Sequence, residues 1–142
     1  MGILTAVGFN SMFGFYEQRR LRNAALEAMD MIREQRAKVM AERLTTPDNC
    51  FSLNPDNINQ RLVSGVTGLE VINAETGGGT ELCFTSEEGS IGTQMTLLLS
   101  SPAVASQGKW CVVVSPLMAQ THLGWKPSGQ NSCSFDSEGG SL

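Results

Sequence analysis

No proline occurs in this chain before Pro47, and that absence constrains the fold more than any other feature. Proline inside a helix removes a donor and clashes with the preceding turn, so the stretch from Ile3 to Arg43 is free to run as one helix. Its second part carries the helical signature. Leu21, Ala25, Ala28, Ile32 and Val39 recur at steps of three, four or seven, with Met29 and Met40 at the margin of the stripe. Asn23, Glu27, Asp30 and Glu34 fall opposite. A continuous helix of roughly 40 residues would reach about 60 Å at ~1.5 Å per residue, where ordinary helices average three turns. In a chain of 142 residues, a helix that outruns its domain must bury the surplus end in something else.

The surplus end has a distinct composition. Ile3, Leu4, Val7, Phe9, Met12, Phe13, Phe15 and Tyr16 crowd apolar and aromatic side chains into one segment without a single-sided stripe. Left exposed, such a segment is an aggregation liability, so burial against other helices or at a membrane boundary is expected. Thr5, Asn10 and Ser11 interrupt it, and it is shorter than the ~20 apolar residues of a membrane span. No basic n-region precedes it, so it does not read as a complete signal peptide. At the other end, Asp30–Arg33 and Glu34–Lys38 are spaced to pair on the exposed face. Arg43 sits where a cation suits a helix C-terminus, and Thr46-Pro47 should stop the helix.

Downstream the period changes. Asn54-Pro55 reads as an N-cap and first helical residue of a short helix burying Ile58 and Leu62, with Gly65 placed to end it. Residues 69–73, 80–85, 93–100 and 109–115 are short, rich in β-branched or apolar side chains and separated by turn clusters, as strands are. Met95, Leu97 and Leu99 alternate like one face of a half-buried antiparallel strand. Gly77-Gly78-Gly79 reads as a hairpin loop, and everything from Pro116 onward as loop, with His122 on its surface. The expected fold is α+β, one long helix packed on an antiparallel sheet of about four strands. Residues 1–46 form the helix (1–16 the surplus end, 17–46 the part that packs) and 47–142 a globular β head.

Chemistry is sparse. The net charge of −4 argues against binding nucleic acid through phosphate contacts. The charge is unevenly spread: seven of the ten Lys and Arg residues lie within 17–43 against five acids, while the other nine acids lie downstream. A basic helix base and an acidic head suit attraction between neighbouring copies, although a solvated helix face explains the same pattern. The one histidine, His122, has no Gly-x-Ser-x-Gly elbow or other nucleophile signature to serve. Glu87-Glu88 sit on a Ser/Gly turn, and Asp136 with Glu138 offer too few oxygens for calcium. The glycine triplet lacks the Lys-Ser/Thr and helix start of a phosphate loop. No catalytic residue, cofactor, metal site or small-molecule substrate is expected. Cys50, Cys83, Cys111 and Cys133 are even in number and widely spaced, with no Cys-x-x-Cys for zinc. Two disulfides in an oxidising compartment are expected, with free thiols in a reduced core as the alternative.

Two stretches carry a family resemblance. Gly2-Ile3-Leu4-Thr5-Ala6-Val7, Tyr16, then Arg20-Leu21-Arg22-Asn23-Ala24-Ala25-Leu26 and the run Met31 to Lys38 resemble the N-terminal helix of type IV pilins and type II secretion pseudopilins. Trp110-Cys111 followed by Pro127-Ser128-Gly129-Gln130-Asn131-Ser132-Cys133 is similar to the disulfide-closed C-terminal loop of many type IV pilins. The family's prepilin-peptidase site, the first apolar half of its helix and the acidic residue near its mature N-terminus have no counterpart, so Met1-Gly2 reads as a start inside the helix of a truncated or divergent subunit. The resemblance implies a structural subunit, major or minor, whose segment from Ile3 to Tyr16 bundles in a filament core with other copies of itself or related pilin subunits. It implies export, an inner-membrane reservoir, contact with the inner-membrane assembly machinery, and a Cys111–Cys133 loop presenting His122, Trp125 and Lys126 to partners. Cys50 and Cys83 lie outside the family pattern and would form a second bridge, the other two pairings remaining open. A secreted, disulfide-stapled adhesion module outside any filament is the alternative.

Overall fold

Helix α1 runs unbroken from Gly2 to Glu42, 41 residues. The computed structural model describes residues 2–63, 65–75, 79–104, 106–116, 118–129 and 132–134, with side chains from Tyr16 onward. The side chains of Ile3, Leu4, Val7, Phe9, Met12, Phe13 and Phe15, the residues Gly77 and Gly78, and the acids Asp136 and Glu138 lie outside the described residues.

The stripe read from the sequence is the buried face. Leu21, Ala25, Ala28, Ile32 and Val39 are fully buried, together with Ala24 and Met29. Alanine at three of these positions lets the helix lie close to the sheet, and the larger members supply the area. Each buried Leu, Ile or Val contributes roughly 1.5–3 kcal/mol relative to exposure. The helix stops by backbone geometry before Thr46-Pro47 is reached. Arg43 takes a left-handed conformation (φ 50°), and the Leu44 amide donates back to the Val39 carbonyl at 3.1 Å. That six-residue closure satisfies a terminal carbonyl and brings Leu44 against the core beside buried Val39. Arg43 thus serves as the turn residue just past the helix end.

The sheet beneath α1 has strand order β2-β4-β5-β6, all neighbours antiparallel: β2 (Glu70–Asn73), β4 (Met95–Ser100), β5 (Gly108–Val114) and β6 (Thr121–Pro127). A 3₁₀ turn, Pro102–Val104, joins β4 to β5. Leu97 and Leu99 of β4, Val112 and Val114 of β5 and Leu123 of β6 face the helix and form one core with it. Four expected strands are present with shifted ends, but the second of them, β3 (Glu81–Cys83), belongs elsewhere. It pairs with β1 (Cys50–Ser52) in a separate two-stranded ribbon. The segment carrying Gly77-Gly78-Gly79 therefore connects two different sheets, since β2 pairs with β4 and β3 with β1. A hairpin between β2 and β3 is not formed.

The fourth strand of the main sheet is β6, where a loop was expected. Thr121, Leu123 and Trp125 alternate toward the core side, and all seven residues of β6 register against β5, from Val114↔Thr121 to Gly108↔Pro127. His122, Trp125 and Lys126 are each half-buried strand residues, not members of an exposed loop. Pro127 is tolerated because it is the last residue of the strand. Trp125 packs edge-on against its cross-strand partner Trp110, with ring centroids 5.0 Å apart.

Helix α2 (Pro55–Arg61) begins as read from Asn54, whose side chain accepts from the Asn57 amide at 2.8 Å. Ile58 is fully buried and Leu62 half-buried. The helix ends at Arg61, ahead of Gly65.

Holding a non-glycine residue in the left-handed region costs about 1–2 kcal/mol. Arg43→Gly is therefore expected to raise stability by about 1 kcal/mol in urea unfolding, while Arg43→Ala leaves the midpoint nearly unchanged. Equal effects of the two substitutions would contradict the assigned cap.

Candidate functional site

The feature without an internal explanation is the base of α1, where the helix meets the head. Two bonds fix this junction. The Gln18 side-chain amide donates to the Gln107 side chain just before β5, and the Arg20 guanidinium donates to the Gly65 carbonyl after α2. Glu17 is buried and paired with Arg20 at 2.9 Å. The Arg20 guanidinium also lies 5.6 Å from the centre of the Tyr16 ring, a cation–π arrangement. Tyr16 is nonetheless 56% exposed, and Val63, just past α2, is fully exposed. With Leu26 and Leu62 they line a groove of about 450 Å³ between α1 and α2, edged by Arg19, Arg20 and Arg61. From this junction the α1 backbone extends toward Gly2, a further 14 residues or about 21 Å.

α2 is held in place by a charge cluster. Arg61 reaches Glu27 at 2.7 Å and both carboxylate oxygens of Glu34 at 2.7 and 2.8 Å. The expected Glu34–Lys38 pair is replaced by this contact, because the fork of Arg61 matches a carboxylate with two parallel bonds. Asp30 and Arg33 do approach, at 3.6 Å, both exposed. The Arg61 hydrogen bonds hold the Glu34 carboxyl below its ordinary value of 4.5, and Glu34 in turn raises Arg61.

All four cysteines are oxidised, Cys50 to Cys83 and Cys111 to Cys133. The first bridge joins directly opposed residues of β1 and β3. Beside it Phe51 stacks on Phe84 at 5.9 Å. The second ties β5 to the segment that returns after β6, where Ser134 and Trp125 exchange backbone bonds of 2.7 and 2.9 Å. Its Cys111 shares a cross-strand row with Leu98 and Gly124 on the sheet face turned from the helix. Leu98 is buried there although it lies outside the main core, so this face is partly covered. Two disulfides fit an extracellular or periplasmic environment, and among the described residues no helix is long and apolar enough to cross a membrane.

Glu81 lies close to Cys50 and Cys83, but both sulfurs are bonded to each other, leaving one carboxylate and no thiolate for a metal. His122 stands opposite Val113 on β6, and no cysteine thiol remains to act as a nucleophile with it. Glu87 and Glu88 are exposed on the turn after β3, as read from the sequence. Sequence reading missed Gln18, Arg61, Leu62 and Val63 as members of one surface. Their only signal was the position of α2 two residues before an isolated valine, which says nothing of what lies opposite. Comparison of the chain with family models, curated proteins and solved structures finds no match.

Two outcomes test this geometry. Replacing Cys111 and Cys133 together by serine opens a link of sequence separation 22 and is expected to cost about 3 kcal/mol in equilibrium denaturation. An unchanged midpoint would mean that the Ser134–Trp125 bridge alone holds the returning segment. Because the Glu34 pKa is depressed in the fold, its contribution is complete above the ordinary value of 4.5 and is lost as pH falls through the lowered value. Glu34→Gln should therefore melt below the unsubstituted chain at neutral pH and converge with it in acid. A constant difference across that range would contradict the pairing.

Proposed function

We propose that this chain is a structural subunit of a filament of the type IV pilus or type II secretion pseudopilus kind, assembling through the N-terminal part of α1. The observation that carries the reading is the division of one helix into two uses. Residues 21–39 bury a stripe on the chain's own sheet, and the same helix continues past the head toward Gly2 through an apolar, aromatic-rich sequence. The helix–sheet order and a disulfide closing the segment after β5 are in keeping with the resemblance. So is oxidation of every cysteine, which suits an exported subunit.

The mechanism is packing. Aromatic and aliphatic side chains of several helices exclude water from one another, and the heads form a shell outside that bundle. The edges of the main sheet do not compete as assembly sites. β2 is only four residues long, and the returning segment is bridged to β6 at Trp125, so neither edge offers a long unpaired ladder. The assembled form would lie in the periplasm or outside the cell. Its partners would be other copies or related subunits, and the inner-membrane machinery that adds them.

The intact chain should associate with rising concentration in light scattering, whereas a chain beginning at Glu17 should stay monomeric with its head folded. Monomers in both cases at high concentration would defeat the proposal.

A further inference from the structure

The head carries its charge in two zones at opposite ends, and each is built by contacts that hold it rigid. The basic zone is the base. Arg19, Arg20 and Arg22 lie on the first packed turns of α1, and Arg61 of α2 shares one groove with Arg19 and Arg20. The Gln18–Gln107 bond brings the start of β5 to this end, where the register pair Lys109↔Lys126 lies on the sheet face turned from the helix and outside the groove. Of the carboxylates on the α1 side of this end, Glu17 pairs with Arg20 and Glu27 with Arg61, while exposed Glu70 stands at the start of β2. Arg19, Arg22, Lys109 and Lys126 make no ion pair with any described residue. The groove lined by Tyr16, Leu62 and Val63 lies at the same end.

The acidic zone is the tip. Glu42 ends α1, Asp48 follows in the loop, and Glu81 flanks the Cys50–Cys83 bridge, all exposed. Glu87 and Glu88 stand on a turn drawn onto α1 by Arg36, which donates to the Gly89 carbonyl at 2.8 Å and the Glu88 carbonyl at 3.2 Å. Gly89 makes that approach possible. Its φ of 64° is left-handed, and a Cβ there would stand 2.5 Å from the Met40 sulfur. The turn and the Leu44–Asn49 loop line one groove that holds Glu87 and Glu88, with Asp48 within that loop and Glu42 just before it in sequence. Lys38 and Arg43 are the exposed cations at this end.

The two zones cannot meet within one molecule. Arg20 and Met40 are twenty residues apart on one helix, about 30 Å along its axis. They also face different ways. Glu27, on the flank that meets α2, and Arg36, on the flank that meets the tip turn, are nine residues apart, about two and a half turns, and so on opposite sides. Unlike charges far beyond a screening length of about 10 Å act between molecules. Two different patches in contact make a heterologous interface, which propagates as an open helix when the rotation does not close.

We propose that copies of this chain stack head to tail, the basic groove at the base of one head receiving the acidic tip of the next. The partner is a second copy of this chain, and the proposal rests on the filament reading by naming the contact between its heads. Exposed charge pairs contribute little singly, so several across one surface set register and direction more than strength.

The test uses the intact chain in sedimentation velocity over a range of concentrations. Glu87→Lys with Glu88→Lys, and separately Arg19→Glu with Arg22→Glu, should each raise the concentration of half-association by about tenfold, taking the usual size of exposed pairs. The chain carrying all four reversals should return to within about threefold of the unsubstituted chain, since each reversed patch again meets its opposite. Added salt should weaken association of the unsubstituted chain. All four side chains are exposed, and circular dichroism melting should be unmoved. Association unaffected by the double reversals, or a fourfold reversal no better than either double, would overturn the head-to-tail contact while leaving filament assembly standing. An unsubstituted chain that never associates would overturn both.

Discussion

The structure depends on one packing contact, the stripe of α1 from Leu21 to Val39 lying across β4, β5 and β6. Leu21, Ala25, Ala28 and Ile32 meet Leu97, Leu99, Val112, Val114 and Leu123 in a single core. Remove that contact and the sheet has an uncovered apolar face while the helix has no reason to be where it is. Isolated helices are only marginally stable in water, and tertiary burial of one face is what stabilises most of them. The rest of the head is arranged around this layer pair. Arg61 docks α2 against the flank of α1 at Glu27 and Glu34, and Arg36 draws the 85–90 turn onto the other flank. Both devices use charged side chains that reach out from a helix whose remaining face is already occupied.

The disulfides finish what the core leaves undone. The β1–β3 ribbon has only three residues a strand, and an isolated ribbon of that length is not stable alone. The Cys50–Cys83 bridge, the Phe51–Phe84 stack and the burial of Leu53, Leu82 and Phe84 hold it to the head. Cys111–Cys133 does the same for the returning segment. It runs from a fully buried residue of β5 to a stretch with one backbone bridge of its own.

How much of this could be read in advance follows from how local each signal is. The stripe of α1, the Asn54 cap and the burial of Leu97 and Leu99 depend on residues near in sequence, so they were legible. β6 was hidden because Gly124 and Pro127 read as turn marks, although Thr121, Leu123 and Trp125 alternate. Gly124 fits because it lies in the row of Cys111, and Pro127 because it closes the strand. The membership of β3 in a separate ribbon is a long-range pairing that no local pattern encodes. Glu34 illustrates the same limit at the level of a side chain. Lys38 stands one turn away on the helix, but the guanidinium from α2 offers two bonds to the carboxylate and takes it. The groove at Tyr16 and Val63 was not visible at all, since it exists only once α2 has docked.

The proposed division of α1, its own head over one half and neighbouring copies over the other, would account for the length of α1, the aromatic crowding before Tyr16 and the exposed apolar groove at the junction. The most direct measurement is amide hydrogen exchange on the intact chain as concentration is raised. The account predicts that protection grows along residues 3–16 as the chain associates, while the amides of β4 and β5 are protected throughout. Association with no change in residues 3–16, and new protection confined to the head, would contradict it.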